Sequence, residues 1–464
     1  MNNKNNEKPT NIQQTALQWI SIILLFQVAT ELGDSFVLKP GSSGNVIWPP
    51  TGIAIAAIMY SGYRVIPAIF LAALISSNWS GSHYEAVIIN SLIITLEATT
   101  LVWLLRGFIG NSEPIRKVQY VLLYISITVL VVFFSTTFEL GHRMLLNTTV
   151  HSNFVSSWTI FYLSNSAGAL IVAPLLITWI SPAERSVLNE KRIEATSLLL
   201  LLIACCLFIF GGFSSALNDN YTNDFLIFPF LIYIVYRFRT IGATTSVALV
   251  SLIAIWGTLH GHGPFIEQTK IESVIMLQSF ILVISVTLLI FSAALQERVD
   301  SESTLKDSEE LYRKFITHNT EGIYRISLQQ PLSTNLPMDE QINLIFENGY
   351  FAEVNDRYLN TLGFSNAEQL LDKKFSDVYP SSDINNKNSI GKFIESEYKL
   401  RYFITNDLHP NRRQRFFSAH ITGIVTADHL THIWAIVTDI TAENLLRQLH
   451  EKIRNSDSHQ SIPE

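Results

Sequence analysis

Apolar residues fall into ten blocks over the first 296 positions and then thin out. The blocks are 15–33, 46–61, 65–79, 84–105, 118–138, 158–180, 196–213, 224–238, 241–259 and 272–296. A bilayer-spanning helix needs about 20 mostly apolar residues, with about 17 as the short end. Three blocks, 46–61, 65–79 and 224–238, are short on this measure. The first two read as two tilted helices or as one re-entrant pair. The pattern thus predicts a polytopic helical domain of 8–10 membrane segments.

From residue 297 onward the pattern changes. Residues 297–318 are charged and favour helix, and their apolar spacing is too irregular for a coiled coil. Short strand-like runs follow at Glu321–Ile326, Glu397–Asn406, Arg415–Val425 and His432–Asp439. Residues 327–341 carry Pro331 and Pro337 as breakers and read as an insertion. Phe351–Asn355 leads into a helix at Asp356–Leu362, with Gly363 as its C-terminal cap signal. A short helix opens at Ser365–Glu368, and a last one runs from Thr441, a suitable N-cap, to Ile453. Leu446, Leu449 and Ile453 share a face of that last helix.

The second block begins Trp48-Pro49-Pro50-Thr51-Gly52. Proline lacks the backbone donor that a helix interior needs, but it fits the first turn, where that donor has no partner. Trp favours the membrane interface. Gly52 and Ala54 suit close helix contact. The stretch therefore marks the start of a helix at a boundary.

Charge sharpens the division. Residues 1–296 hold 28 Asp, Glu, Lys and Arg, and residues 297–464 hold 43. A membrane-embedded part is thus followed by a water-soluble one. With a cytoplasmic N-terminus, eleven Lys and Arg fall in inner connections: Lys4, Lys8, Arg64, Arg106, Arg116, Lys117, Arg185, Lys191, Arg192, Arg237 and Arg239. Only Lys39, Arg143 and Lys270 fall outside. That bias predicts cytoplasmic N- and C-termini. The net charge of −7 argues against a nucleic-acid partner. Cys205 and Cys206 are adjacent in an apolar run, which excludes a disulfide framework and a Cys-rich metal site. The polar start MNNKNNEKPTNIQQ is not a cleaved secretory signal.

The Trp48–Gly52 stretch, then Gly62-Tyr63-Arg64 and Pro67, resembles the first-type membrane-associated sensor domain, the MASE family. Further matches follow in order: Asn90 and Glu97, Trp158, Tyr162 through Gly168, Pro174, Tyr236-Arg237-Phe238, Gly242, Trp256-Gly257-Thr258, Gly261 through Phe265, and Leu277-Gln278. The resemblance covers roughly 15–296. It implies an integral sensory domain of bacterial signalling proteins, in the inner membrane, usually placed before a histidine kinase or diguanylate cyclase. Residues 308–445 resemble a PAS domain, an α+β fold with an antiparallel sheet. Ser308 through Arg313, Gly322-Ile323-Tyr324, Val354-Asn355-Asp356, Gly363-Phe364, Glu368, Leu370 and Trp434 through Thr441 carry that resemblance. The implied layout is a tail (1–14), the sensor (15–296), a linker helix (297–307), the PAS domain (308–445) and an output-helix stub with a polar tail (446–464). In PAS domains the Asp-Ile-Thr ending, here Asp439 to Thr441, passes signals between sheet and output helix.

Trp48, Asn90, Glu97, Asn165 and Gln278 are the candidate sensing or intramembrane polar residues. Glu97 lies mid-segment, where an ionisable group usually faces the bundle interior or a water cavity. It reads either as part of a sensing site or as a structural partner between helices. Ser164, Asn165 and Ser166 read as helix glue. His83, His142, His151, His260 and His262 map to the outer side, but only His260 and His262 have tight spacing, and no metal site is expected. No cofactor is evident. A cysteinyl-flavin adduct is excluded by the lack of cysteine after residue 206, and haem is disfavoured by the lack of histidine in 355–372.

No cyclase, phosphodiesterase or histidine-kinase motif is found, so a non-catalytic receptor acting through a second copy or a partner signalling protein is the leading reading. A transporter with a regulatory PAS domain, and the input half of a histidine kinase or diguanylate cyclase, are the rivals.

Overall fold

The computed structural model describes residues 12–36, 45–77, 84–110, 113–145, 154–212, 224–408 and 414–457. Lys4, Lys8, Lys39, His83 and His151 lie outside them, as does the side chain of Ile453. The chain divides into two compact units, Met1–Glu302 and Ser303–Glu464.

Among the described residues, the regular elements of the first unit are all helices. Its helices are α1 (Ile12–Ser35), α2 (Pro49–Ser61), α3 (Ile66–Ser76), α4 (Tyr84–Ile109), α5 (Val118–Leu145), α6 (Phe154–Ala167), α7 (Ala173–Ile180), α8 (Pro182–Glu190), α9 (Arg192–Phe210) and α10 (Ile227–Leu259). The last, α11 (Lys270–His318), continues without a break past the unit boundary. Among the described residues, seven helices are long and apolar enough to cross a membrane. Every apolar block has its helix. The two short early blocks are α2 and α3, which are too brief to count among the seven.

The blocks 224–238 and 241–259 form one helical element, α10, broken at Arg239 (φ 52°, ψ −133°). Thirty-three residues of straight helix would reach about 50 Å. The hydrocarbon core is about 30 Å thick, so the break divides what one span could not use. The polar α8 was not foreseen as an element. Its Pro182 at the first helical position and Glu184 in the first turn are ordinary start signals.

Among the described residues, two large apolar cores and a smaller one at Ile115, Val121, Leu289 and Ala293 hold this unit. One joins Phe26, Ile55, Ile58, Ile69, Leu101 and Tyr124. The other joins Phe210, Leu231, Phe238, Ile241, Leu277 and Ile281. Leu24, Leu96, Phe134, Leu200 and Val283 point outward and are exposed. Apolar residues inside and out, with backbone bonds satisfied within helices, are what a bilayer requires.

The second unit is one five-stranded antiparallel sheet in the order β2-β1-β5-β4-β3. Its strands are β1 (Gly322–Ser333), β2 (Gly349–Val354), β3 (Lys399–Leu408), β4 (Gln414–Thr426) and β5 (His429–Asp439). Four helices, α12 (Met338–Asn348), α13 (Asp356–Leu362), α14 (Phe375–Val378) and α15 (Ile384–Glu395), fall between β1 and β3. The last helix is α16 (Thr441–Asp457).

The 327–341 stretch, read as an insertion, holds regular elements. β1 runs through it to Ser333, and α12 begins at Met338, directly after Pro337. The β1–β5 register shifts between Ser327 and Leu332, an irregularity that takes in Pro331 and its missing donor. The β4–β5 hairpin turns on Ala427 and Asp428, both at positive φ, as a two-residue turn demands.

Candidate sensing and coupling sites

Glu97 sits on α4 and is 6% exposed. Ser135 on α5 donates its hydroxyl to Glu97 Oε2, while Oε1 is buried and has no partner among the described residues. One turn further along α5, Glu139 pairs with Arg143, whose guanidinium lies over the Phe161 ring. Asn90 shares the Glu97 face of α4 by its seven-residue spacing, and its Oδ1 is also buried with no partner among the described residues. Nearby on α5 and α6, Trp158 stacks on Tyr162 at 5.0 Å and meets the edge of Phe133. A buried carboxylate with an open oxygen can accept a proton or a hydrogen-bond donor.

Trp48 and Gln278 belong to a second constellation. The Trp48 backbone N–H donates to Ser164 O on α6 at 3.2 Å. Its ring lies against Gly33 of α1, half-buried. The segment before α2 meets α6 with no room to spare: a Cβ at Gly168 would lie 2.0 Å from Trp48 O. A Cβ at Gly52 would lie 2.3 Å from Gly168 O. Gln278 on α11 is fully buried, and its side-chain amide donates to the carbonyls of Asn45, Val46 and Ile160 at 3.0–3.2 Å. Three carbonyls share its two hydrogens. Asn165 is buried beside Ser164 and Ser166, and no hydrogen bond joins it to Glu97.

Residues 168–172 form a π-helical turn between α6 and α7. Tyr124 OH on α5 donates to Ala169 O at 2.6 Å, and Ser285 Oγ on α11 donates to Leu170 O at 2.9 Å. At the other end of α11's apolar stretch, Arg116 pairs with Asp300 at 3.0 Å. Burial raises the Asp300 pKa, but the Arg116 hydrogen bond and charge outweigh it and hold the carboxyl below its ordinary value. Glu297 accepts from the Val118 N–H in the same place.

In the second unit, the final turns of α11 are tied to the sheet. Tyr312 donates to Glu353 on β2 and meets the edge of the Trp434 ring. Arg325 on β1 pairs with Glu353 at 2.6 Å, lies over Trp434, and donates to Ser327 Oγ. Ser327 Oγ is 3.0 Å from His432 Nδ1. Burial and then the Arg325 charge push the His432 pKa below its ordinary value. Asn355 fills all four of its side-chain bonds. Nδ2 donates to Ile316 O and Glu321 O, and Oδ1 accepts from the Ile323 and Tyr358 N–H groups.

Asp439 and Thr441 meet at the β5–α16 junction, but Thr441 does not cap α16. Asp439 Oδ1 accepts from both the Thr441 N–H and its hydroxyl, and the hydroxyl oxygen accepts from the Phe416 N–H on β4. The aspartate thus does the capping, and the threonine fastens the junction to the sheet. Thr438 donates to Glu321, so the start of β1 and the end of β5 are bonded side chain to side chain.

The interior between sheet and helices is filled by Tyr324, Phe346, Phe351, Tyr358, Phe375 and Phe393. His260 Nδ1 is engaged with Trp256 O, and among the described residues no group of three or more His, Cys, Asp or Glu could hold a metal.

Sequence spacing pointed to Trp48, Glu97 and Gln278, but not to Ser135, Tyr124 or Ser285. Those three are ordinary residues of apolar helices, and their partners are distant in sequence.

A family model described as MASE1 matches residues 19–299. A comparison with curated proteins finds no relative. Among solved structures, the PAS domain of an HTR-like protein from Haloarcula marismortui matches at 13% identity and a TM-score of 0.21, covering 30% of this chain and 98% of that one. The PAS domain of Bordetella pertussis BvgS matches at 22% identity and a TM-score of 0.20, covering 32% and 98%. An RNA-binding Light-Oxygen-Voltage receptor matches at 12% identity and a TM-score of 0.25; 32% of this chain covers 38% of that receptor.

Proposed function

Because the chain belongs to the MASE1 family and carries a PAS-type domain after it, we propose that it is a multi-pass membrane receptor that senses a stimulus at the Glu97 site. The carrying observation is a carboxylate buried between α4 and α5 with one oxygen unpaired. Such a group in a bilayer is costly and usually functional. Asn90 and Ser135 complete the site, Asn165 acts as helix glue, and Trp48 and Gln278 hold the frame around it. The eleven-to-three bias of Lys and Arg supports an inner-membrane placement with both termini in the cytoplasm.

In this reading α11 carries the response to the PAS domain, and Asp439 and Thr441 pass it to α16. Leu446 and Leu449 on α16 are 61% and 59% exposed, which supports contact with a second copy or a partner signalling protein. The chain then acts as a non-catalytic input module. Its aromatic-filled PAS interior supports a scaffold rather than a cofactor carrier.

Two measurements test this. A reporter enzyme that works only in the cytoplasm is expected to be active when fused after Arg298; activity only of a reporter that works outside the inner membrane would overturn the orientation. In full-length protein in nanodiscs, Glu97→Gln is expected to change amide exchange across residues 312–325. Identical exchange in the two proteins would sink the Glu97 assignment.

A further inference from the structure

Pro174 stands inside the sixth apolar block, two residues past the π turn. In a regular helix Leu170 O would accept from the N–H of residue 174, four positions on. In a π turn Ala169 O would accept from that same residue, five positions on. Proline has no N–H to give either of them. The two carbonyls left without a local donor are the two that receive one from elsewhere: Ala169 O from Tyr124 and Leu170 O from Ser285. Both donors are buried, Tyr124 to 1% and Ser285 to 0% exposure. An unpaired carbonyl at this depth would be costly, so the external donors are part of the fold.

This arrangement binds three helices at one point. Ser285 follows Gln278 by seven residues, on the same face of α11. Gln278 holds Asn45 and Val46, in the segment that leads into α2, together with Ile160 on α6. Gly168, the first residue of the π turn, touches Trp48 at the end of that segment. The lead-in segment, the π turn and α11 therefore share one set of hydrogen bonds.

The geometry points to the Gly168–Val172 π turn as a register switch, in which Tyr124 and Ser285 stand in for the donor that Pro174 lacks and so fix α11 against α6. Resolving a π turn into α-helix removes the extra residue from the turn. It rotates one side of the helix by about 100° and shifts it by about 1.5 Å relative to the other. Ser285 and Tyr124 must then let go. The position of α11 thus depends on the state of that turn. The switch's use in signalling rests on the receptor reading, whereas the readouts below require no stimulus and stand or fall without it.

The test is a double-mutant cycle in the full-length protein. In the natural background, Ser285→Ala and Tyr124→Phe are each expected to lower Tm by about 2–4 °C. In a Pro174→Ala background, where residue 174 regains its N–H, each is expected to shift Tm by less than about 1 °C. Spin labels at Val155 and Val283, both exposed, report α6 against α11. Pro174→Ala is expected to move their distance by about 3 Å or more, given the rotation above. The Tyr124→Phe, Ser285→Ala double variant keeps Pro174 and gives a second arm, in which the same distance shifts or broadens. Additive Tm effects would overturn the proposal. So would a label distance unchanged in Pro174→Ala, or, where that variant does not fold, unchanged in the double variant.

Discussion

The Tyr312 hydroxyl donates to the Glu353 carboxylate, joining the last turns of α11 to the edge strand of the sheet. Burial, then Glu353 itself, raises the phenol's pKa, so it stays protonated and keeps donating through the physiological range. Tyr312→Phe retains the ring against Trp434 and removes only the donor. The expected loss is about 1 kcal/mol of local stability. Amide exchange over residues 312–318 should rise about fivefold in consequence. Unchanged exchange would show that the ring alone holds the helix.

Asn355 is a stronger anchor, being 3% exposed with every side-chain bond filled. Asn355→Ala is expected to cost about 2–4 kcal/mol, since it strips the α13 cap and leaves buried groups unpaired. Asn355→Asp keeps the accepting oxygen for Ile323 and Tyr358 but cannot donate to Ile316 O and Glu321 O. It should fall between the natural protein and the alanine variant in urea unfolding.

His432 gives the second unit a pH dependence of known sign. Its folded pKa lies below the ordinary 6.5, because burial and then Arg325 disfavour the charged ring, with Glu353 opposing. Between the lowered value and 6.5 the unfolded chain holds the proton and the folded one does not, so stability rises with pH. The contribution is full above 6.5 and is lost as pH falls toward the folded pKa. His432→Gln should flatten Tm against pH in that window; an equal slope in both proteins would exclude the residue as its source.

Gln278→Leu keeps most of the buried volume and withdraws two donors from three carbonyls. A loss of about 2–3 kcal/mol is expected. The lead-in segment should be released with it, and proteolysis between residues 45 and 48 in detergent should speed up. Slow cleavage at the natural rate would mean that Trp48 and Ser164 suffice to hold it.

The helical half was legible because each span declares itself by uninterrupted apolar composition, and Pro49-Pro50 does mark the start of α2. Four of the five strands were legible from their runs and flanking turns, whereas β2 was read only as the lead-in to α13. Two prolines hid α12, although Ile342, Ile345 and Phe346 already carry the spacing of a buried helical face. The π turn could not be read, since what shapes it is a missing donor whose replacements lie 45 and 115 positions from their acceptors. The Glu97 site was half visible: the carboxylate stands out in an apolar run, whereas Ser135 is one of many hydroxyls in the membrane helices.

Gly52 and Gly168 bring α2 and the π turn together backbone to backbone, with no side chain from either glycine between them. Most helix pairs must change rotamers before one can twist past the other. Here the Gly168 carbonyl, the Val172 side chain and the Ala173 backbone together set the clearance around Gly52. The spacing at this crossing is therefore set by direct steric contact. Adding a single methyl group at either glycine would jam it.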